Sequence, residues 1–147
     1  MKNLLLIVLL LSVGFSQQKK SDEPNPKKGI KTETILKYEY EEKFGELEVI
    51  LEGKYIYKYD SNGNKVEYSS YDSDGSLNWK FIYKYDSNGN TVEQSSYDSD
   101  GSLLLKDISK YDSKNRIIES ISYDLESKFG ELQEIPTKKT IYQYEEY

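Results

Sequence analysis

The stretch that decides the fold is "YKYDSNGNKVEYSSYDSDGSLNWKFI", residues 57–82, because a near copy, "YKYDSNGNTVEQSSYDSDGSLLLKDI", follows at once as residues 83–108. Each copy contains two runs of alternating polar and apolar residues, separated by clusters of Asp, Asn, Ser and Gly. Alternation with a period of two is the pattern of a β-strand, and such clusters mark tight turns. The repeat therefore predicts β-hairpins.

The repeat extends beyond these two copies. Two outer stretches, "YEYEEKFGELEVILEGKYIYKYD" from Tyr38 and "YDLESKFGELQEIPTKKTIYQYE" from Tyr123, align without a gap and carry the same seven-residue expansion at "KFG". The predicted strands span residues 31–41, 46–59, 64–71, 76–85, 90–97, 102–111, 116–123 and 131–145. The sequence thus predicts an all-β fold, an eight-stranded antiparallel up-and-down meander of four hairpin repeats, as either a curved open sheet or a small closed barrel.

Asn-Gly and Asp-Gly dipeptides in the clusters predict the turn type. Pairs at 62–63, 74–75, 88–89 and 100–101, with Lys-Asn at 114–115, suit a two-residue type I′ turn, which needs positive φ at both central residues. This register sets each Tyr against an apolar residue and each Lys against a Glu. The predicted pairs are Tyr59 with Val66, Lys58 with Glu67, Tyr85 with Val92, Lys84 with Glu93, Tyr111 with Ile118 and Lys110 with Glu119.

The acidic turns also permit a calcium interpretation, since oxygen ligands at alternate positions resemble the start of an EF-hand loop. The match fails in detail, because glycine stands at the fourth loop position and the twelfth residue from Asp60 is Tyr71 rather than Glu. The sequence therefore favours turns whose Asp accepts backbone N–H groups, with weak calcium binding as the alternative. The ligands of that alternative are Asp60, Asn62, Asp72, Asp74, Asp86, Asp98 and Asp100.

The first residues predict export. "MKNLLLIVLLLSVGFSQ" has a charged start, an apolar run and small residues on either side of Phe15, so residues 1–16 are a predicted bacterial signal peptide for the periplasm, the cell surface or secretion. The apolar run is too short to cross about 30 Å of hydrocarbon, so no membrane span is expected after cleavage. Residues 17–30, rich in Lys and Pro, predict a disordered linker, and residues 31–147 form the hairpin repeat domain.

Composition narrows the function classes. The chain has a net charge of −6, and residues 1–16 hold one Lys and no acid, so the mature chain would carry −7. Such a charge repels nucleic acid. With no His and no Cys, the usual general bases, thiol nucleophiles and transition-metal sites cannot be built. The sequence predicts a protein that is not an enzyme, with no catalytic residue and no cofactor.

The apolar positions favour one face of the sheet. In strand 76–85, Leu77, Trp79, Phe81, Tyr83 and Tyr85 alternate with a mixed set of mainly polar residues and predict the principal core face. Exposed aromatic rings also stack on sugar faces, so part of this stripe is a candidate ligand platform. The candidate binding residues are Trp79, Phe81 and Tyr83, together with Phe44 and Phe129 at the tips of the expanded hairpins.

The terminal strands predict a monomer. An exposed sheet edge is a template for pairing with another chain, and charged side chains discourage such pairing. The terminal strands carry Lys31, Lys37, Lys138, Lys139, Glu145 and Glu146.

The recurring Tyr-Asp followed by a glycine turn, as in "YKYDSNGN", resembles the YD repeats of RHS-family and teneurin-type proteins over about residues 38–147. In that family such repeats build long, curved antiparallel sheets that wrap into shells, and carbohydrate binding has been proposed for them. The resemblance implies hairpin architecture and no catalytic residues. RHS proteins are very large and carry a C-terminal toxin or core region that these residues lack, so encapsulation of a toxin is not implied.

These observations predict an exported, non-catalytic binding or structural module of the bacterial envelope or exterior, with a carbohydrate or a protein as partner. Two alternatives stay open. One is a small barrel that carries an apolar ligand in a Tyr-lined interior. The other is a calcium-dependent module.

Overall fold

The computed structural model describes residues 25–128 and 131–147 and confirms the all-β prediction. Eight antiparallel strands form one sheet in chain order, each packed only on its sequence neighbours. Strands β1 and β8 are its two free edges, so the sheet is open and not a barrel. The strands are β1 (Thr32–Lys43), β2 (Glu46–Tyr59), β3 (Lys65–Asp72), β4 (Leu77–Tyr85), β5 (Thr91–Tyr97), β6 (Leu103–Tyr111), β7 (Ile117–Lys128) and β8 (Glu131–Ile141). In the described ranges, no helix could cross a membrane.

The type I′ prediction is wrong for the acidic turns. Gly63 donates its N–H to the Asp60 carbonyl over 3.0 Å, and Asp60 donates to the Asn64 carbonyl over 2.9 Å. Gly63 has a φ of 83°, whereas Asn62 is not among the described residues with positive φ. This is a type I turn followed by a left-handed glycine, which forms a bulge. The same backbone bonds recur at the turns that start with Asp72, Asp86, Asp98 and Asp112.

The leading Asp explains this choice of turn. The Asp60 carboxylate accepts the N–H groups of both Asn62 and Asn64 over 2.9 Å, which fixes the loop in the type I form. Asp86 makes the equivalent bonds to Asn88 and Asn90. A further hydrogen bond from the Asn90 side chain holds the pKa of Asp86 below its usual range. The hydrogen bonds predicted for these aspartates are therefore present.

The bulges change half of the predicted register. Each adds one residue on the returning strand, so Tyr59 lies opposite Lys65 and not opposite Val66. Tyr85 likewise opposes Thr91 rather than Val92, and Tyr111 opposes Ile117 rather than Ile118. The residues before the bulge keep the predicted pairing. The Lys–Glu pairs are confirmed, with Nζ–Oε1 distances of 2.9, 2.9 and 2.8 Å for Lys58–Glu67, Lys84–Glu93 and Lys110–Glu119.

The predicted core face is also wrong, because the residues that the structure describes form a single-layered sheet with no second layer packed on either side. Among the described residues, no apolar side chain is buried. The buried polar side chains are those of Ser69, Ser70 and Ser95, which lie in the central strands. Apolar side chains such as Trp79 and Tyr83 are half-buried against their neighbours within the sheet surface. Stability must therefore come from the backbone hydrogen bonds between strands and from side-chain contacts across adjacent strands.

Residues 25–30, predicted as the end of a disordered linker, instead form turns that pack on the β2–β3 loop. The Asn25 side chain donates to the Gly63 carbonyl over 2.9 Å. Gly63 is required there, since a Cβ would lie 2.7 Å from the Lys28 backbone N and its φ of 83° is left-handed. Lys27 and Tyr59 both bind the Glu33 carboxylate, over 2.8 and 2.7 Å. Composition alone does not reveal these partners; residues 1–24 lie outside the described ranges.

Candidate functional site

One face of β2, β3 and β4 carries a continuous cluster of aromatic rings. Tyr57 stacks on Tyr68 with centroids 4.4 Å apart and planes at 12°, and Tyr68 meets Trp79 edge to face at 4.6 Å. Centroid separations of 6.3, 5.4 and 6.5 Å complete the row on either side of these rings. We call this row the aromatic patch; it consists of Tyr55, Tyr57, Tyr68, Trp79, Phe81 and Tyr83.

The bulge at the start of β3 adds a cation to the patch. The Lys65 ammonium lies 5.9, 5.3 and 5.2 Å from the ring centroids of Tyr57, Tyr68 and Tyr83, within the range of cation–π attraction. Burial raises the pKa of the Tyr68 and Tyr83 hydroxyls, so both rings stay neutral at physiological pH. The patch is thus a surface of aromatic rings with the Lys65 ammonium at its centre and the Lys37 ammonium at one end, 4.8 Å from the ring centroid of Tyr55.

A second set of tyrosines binds backbone carbonyls at the turn bulges along the sheet. The Tyr85 hydroxyl donates to the Lys65 carbonyl over 2.7 Å, and Tyr111 donates to the Thr91 carbonyl over 3.0 Å. Tyr144 repeats the contact with the Ile117 carbonyl over 2.8 Å. Lys65, Thr91 and Ile117 are the residues at the turn bulges. The Tyr of each Tyr-Asp dipeptide at 85–86 and 111–112 therefore fastens the bulge of the hairpin before it, while the Asp closes the next turn.

The opposite face of the sheet carries lysines that pair across strands with tyrosines and glutamates; we call these cross-strand pairs the lysine ladders. Lys54 and Lys80 place their ammonium groups 4.6 Å from the ring centroids of Tyr71 and Tyr97, their direct cross-strand partners. The Lys–Glu pairs lie on this same face, because direct partners and alternate residues share a side. Glu119 binds both Lys110 and Lys139, which lowers its pKa to about 2. Each charged group near the middle of this face already has a partner within the sheet.

A comparison of the two near-identical copies singles out the aromatic patch. The copies differ at five positions: Lys65 against Thr91, Tyr68 against Gln94, Asn78 against Leu104, Trp79 against Leu105, and Phe81 against Asp107. All but the Asn78 position belong to the patch or to its central lysine. The turns, the lysine ladders and the Tyr-Asp dipeptides are the same in both copies. The unit thus keeps its scaffold and changes this one surface.

The structure brings together the three β4 residues predicted as binding residues. Trp79, Phe81 and Tyr83 form one end of the patch. The prediction missed Tyr55, Tyr57, Tyr68 and Lys65 as site residues. A position-by-position comparison of the two copies would have found Tyr68 and Lys65.

Phe44, the residue predicted at the tip of the β1–β2 hairpin, is not part of this site. Phe44 is fully exposed in a two-residue turn with Gly45, and both have positive φ, 54° and 85°, so the type I′ geometry occurs here. Tyr55 lies 11 positions after Phe44 along the chain, a distance of about 35 Å for extended strand. Phe129 lies outside the described residues.

A shallow depression of about 340 Å³ lies away from the patch, where the N-terminal turns meet the β2–β3 loop. It is lined by Gly29, Ile30, Lys31, Tyr59, Asp60 and Ser61. The aromatic side chains of the patch are half-buried.

The turn aspartates of the calcium alternative are spread along the two ends of the sheet. Within the described ranges, no three acidic side chains converge in a group that could hold a metal ion. Asp60 and Asp86 use one carboxylate oxygen for two backbone N–H groups and the other for an Asn side chain. Weak calcium binding stays a prediction, to be tested with a chelator.

Comparison with known proteins adds a distant structural similarity. No family model and no curated protein matches the sequence. The chain is similar to a DUF3836 family protein from Bacteroides vulgatus, with 20% identity, 74% of this chain and 98% of that chain covered, and a TM-score of 0.36. It is also similar to a protein with unknown function from Bacteroides fragilis, with 20% identity, 74% and 93% coverage, and a TM-score of 0.28. Neither similarity supports an inference about fold or function.

Proposed function

We propose that the protein is an exported, non-catalytic binding module of the bacterial envelope or exterior, and that its aromatic patch binds carbohydrate. The observation that carries this proposal is the difference between the two copies. Four of their five differing positions lie in the patch or at its central lysine, while the scaffold positions are unchanged. The changes are thus concentrated at one surface, as expected where a binding site is built on a common scaffold.

The chemistry of the patch favours a sugar chain as the ligand. Sugar rings present C–H groups on their faces and hydroxyls at their edges, and aromatic side chains with polar tips match both. Tyr57 and Tyr68 stack, so each covers one face of the other's ring. Tyr68 and Trp79 meet edge to face, so this contact covers a face of only one of these two side chains. The Lys65 ammonium supplies donors at the centre of the row.

The non-catalytic part of the proposal rests on composition and on ion pairing. The chain contains no His and no Cys. Glu67, Glu93 and Glu119, the carboxylates near the centre of the sheet, are each within 2.9 Å of a lysine ammonium. A general acid would need a raised pKa, and the pKa of Glu119 is lowered instead.

We further propose that the hairpin unit is a YD-type repeat. The Tyr-Asp dipeptide has two structural tasks here: the Tyr85 hydroxyl fastens the preceding bulge, and the Asp86 carboxylate fixes the following turn. Exchange of that dipeptide in any one unit should loosen two adjacent hairpins at once.

The binding proposal is tested by titrating the protein with soluble bacterial and plant polysaccharides. Trp79 is the single Trp and lies in the patch, so its fluorescence reports binding directly. We expect a saturable shift with at least one class of glycan. Absence of binding to every class by calorimetry, which needs no reporter, would refute the carbohydrate proposal.

The second copy of the repeat provides matched variants. Tyr68→Gln, Trp79→Leu and Phe81→Asp give the patch the residues that the fold already holds at the same positions of the next unit. These changes should abolish binding and leave the fold intact. The reciprocal set in the second copy, Thr91→Lys, Gln94→Tyr, Leu105→Trp and Asp107→Phe, should extend the row of rings onto β5 and β6 and raise the affinity for the same glycan measured by calorimetry, because the second-copy equivalents of Tyr55 and Tyr57 are Phe81 and Tyr83 of the existing patch.

A second candidate function, binding of a protein partner at the expanded β1–β2 hairpin, is favoured by Phe44. A bulky residue with a φ of 54° is strained, and here it is also fully exposed, so it contributes no packing in return. Binding of an envelope protein that is lost with Phe44→Asn but retained in the Trp79→Leu variant would support this candidate.

A further inference from the structure

The two edge strands of the sheet are long and expose apolar side chains. On β1, Ile35, Leu36 and Tyr38 are 40, 48 and 53% exposed, and on β8 Ile141 is 55% exposed. An edge of this kind presents unpaired N–H and C=O groups along its length and is a template for another strand. Which strand could pair with each edge depends on the order of side chains along that edge.

The internal junctions of the sheet give a template for that order. Wherever an even strand is followed by an odd one through an acidic turn, a Lys lies directly opposite a Tyr. The template pairs are Lys54 with Tyr71, Lys80 with Tyr97, and Lys106 with Tyr123. In the β6–β7 junction, Ile108 faces Ile121 two residues further on, on the same side of the sheet.

The two edge strands match, in their order of side chains, the two strands of such a junction. Strand β8 aligns with β6, so that Lys139 corresponds to Lys106, and the structure supports the alignment: Glu119 faces Ile141 as Glu93 faces Ile108. Strand β1 aligns with β7, so that Tyr38 corresponds to Tyr123. The outer edge of β8 therefore resembles the side of β6 that receives β7.

We propose that β8 of one copy pairs antiparallel with β1 of a second copy in the β6–β7 register, so that the sheet continues from one molecule to the next. This register sets Ile141 against Leu36, Lys139 against Tyr38, and Lys138 against Glu39. These are an apolar pair, a cation–π pair of the type already present twice, and an ion pair. Charged side chains on an edge strand generally discourage pairing with another chain. In this register, however, each of these lysines lies opposite a side chain that attracts it.

The symmetry of this contact is head to tail. Because β1 and β8 are different surfaces, each added copy leaves one of each free, so the assembly grows as an open filament unless the sheet closes into a ring. The contact does not use the aromatic patch, so it is independent of carbohydrate binding.

Sedimentation velocity of the purified protein over a wide concentration range tests the proposal. We expect reversible, concentration-dependent self-association. Lys138→Glu and Glu39→Lys should each raise the dissociation constant at least about fivefold, which corresponds to about 1 kcal/mol for one cross-strand pair. The double variant should regain the affinity of the parent, because it restores the ion pair with exchanged signs. Circular dichroism controls for folding in each variant.

Disulfide trapping tests the register itself, since the chain has no native Cys. A mixture of the Ile141→Cys and Leu36→Cys variants should form a covalent dimer under mild oxidation, because direct antiparallel partners lie within disulfide range. A mixture of Ile141→Cys with Ile35→Cys is the control, since a shift of one residue moves the thiol to the other face. Equal trapping in both mixtures, a monomer at all concentrations, or no recovery in the charge-exchanged double variant would each overturn the proposal.

Discussion

Removal of the Tyr85 hydroxyl tests how the sheet is held together without a core. In Tyr85→Phe the ring stays in place, but the bond of 2.7 Å to the Lys65 carbonyl is lost. A neutral hydrogen bond contributes about 0.5–1.5 kcal/mol net, and the bulge carbonyl is left without this donor, so we expect a loss of about 1 kcal/mol in the free energy of unfolding. Tyr111→Phe should cost a similar amount, since its bond to Thr91 measures 3.0 Å.

The assay is urea unfolding followed by the fluorescence of Trp79. The midpoint should fall while the m-value stays constant, and the melting temperature should drop by about 3–6 °C. Tyr97→Phe is the matched control, because the structure gives the Tyr97 hydroxyl no hydrogen bond within the described residues and its ring keeps the contact with Lys80. A loss in Tyr85→Phe no larger than that in Tyr97→Phe would refute the role of the tyrosine-to-bulge bonds.

Four further predictions follow from single features of the structure. Glu119 has its folded pKa lowered to about 2 from a usual value of 4.5, so the stability contributed by its two lysine contacts is complete above pH 4.5 and is lost as the pH falls towards 2; Lys139→Met should reduce this acid sensitivity in pH-dependent urea titrations. Phe44→Asn should raise the free energy of unfolding by up to about 1 kcal/mol, because Asn tolerates the left-handed conformation better, and an unchanged or lower value in thermal unfolding would contradict the strain at this turn. Gly63→Ala should destabilise more than Gly75→Ala, since both glycines have positive φ but only Gly63 has atoms within 4 Å of an added Cβ; equal losses in the melting temperature would mean that the N-terminal turns do not dock there. A chelator should leave the melting temperature unchanged if the acidic loops act only as turns, whereas a fall would support the calcium-dependent module.

The sequence predicted the strands well, because polar and apolar residues alternate along much of each strand and turn residues separate the strands. Strand β2 was predicted at residues 46–59 and has those bounds. Strand β7 was predicted to end at residue 123 but continues to Lys128, since the charged segment 124–128 hides its strand character. The type of turn was missed because Asn-Gly suits two geometries. The Asp two residues earlier, whose carboxylate accepts two N–H groups, decides for the type I turn with a bulge.

The site was predicted only in part, for a reason rooted in the same bulges. Strict alternation places Val66 on the aromatic face next to Tyr59 and gives Lys65 to the other side. The bulge brings Lys65 opposite Tyr59 and over the rings of the patch. The absence of a buried apolar side chain among the described residues was equally hidden, because an alternating strand looks the same whether its apolar side is covered or open.

A sheet in which each strand touches only its sequence neighbours has a length but no interior. Its stability is a sum of local terms, each set by one unit and its contact with the next, as in other repeat architectures. The 26-residue unit can therefore be duplicated or removed without repacking anything elsewhere, and the two tandem copies are what such freedom produces. For a molecule of this design the number of units is an adjustable quantity: it sets how far apart the two edges lie and how many separate surfaces the chain can offer along the way.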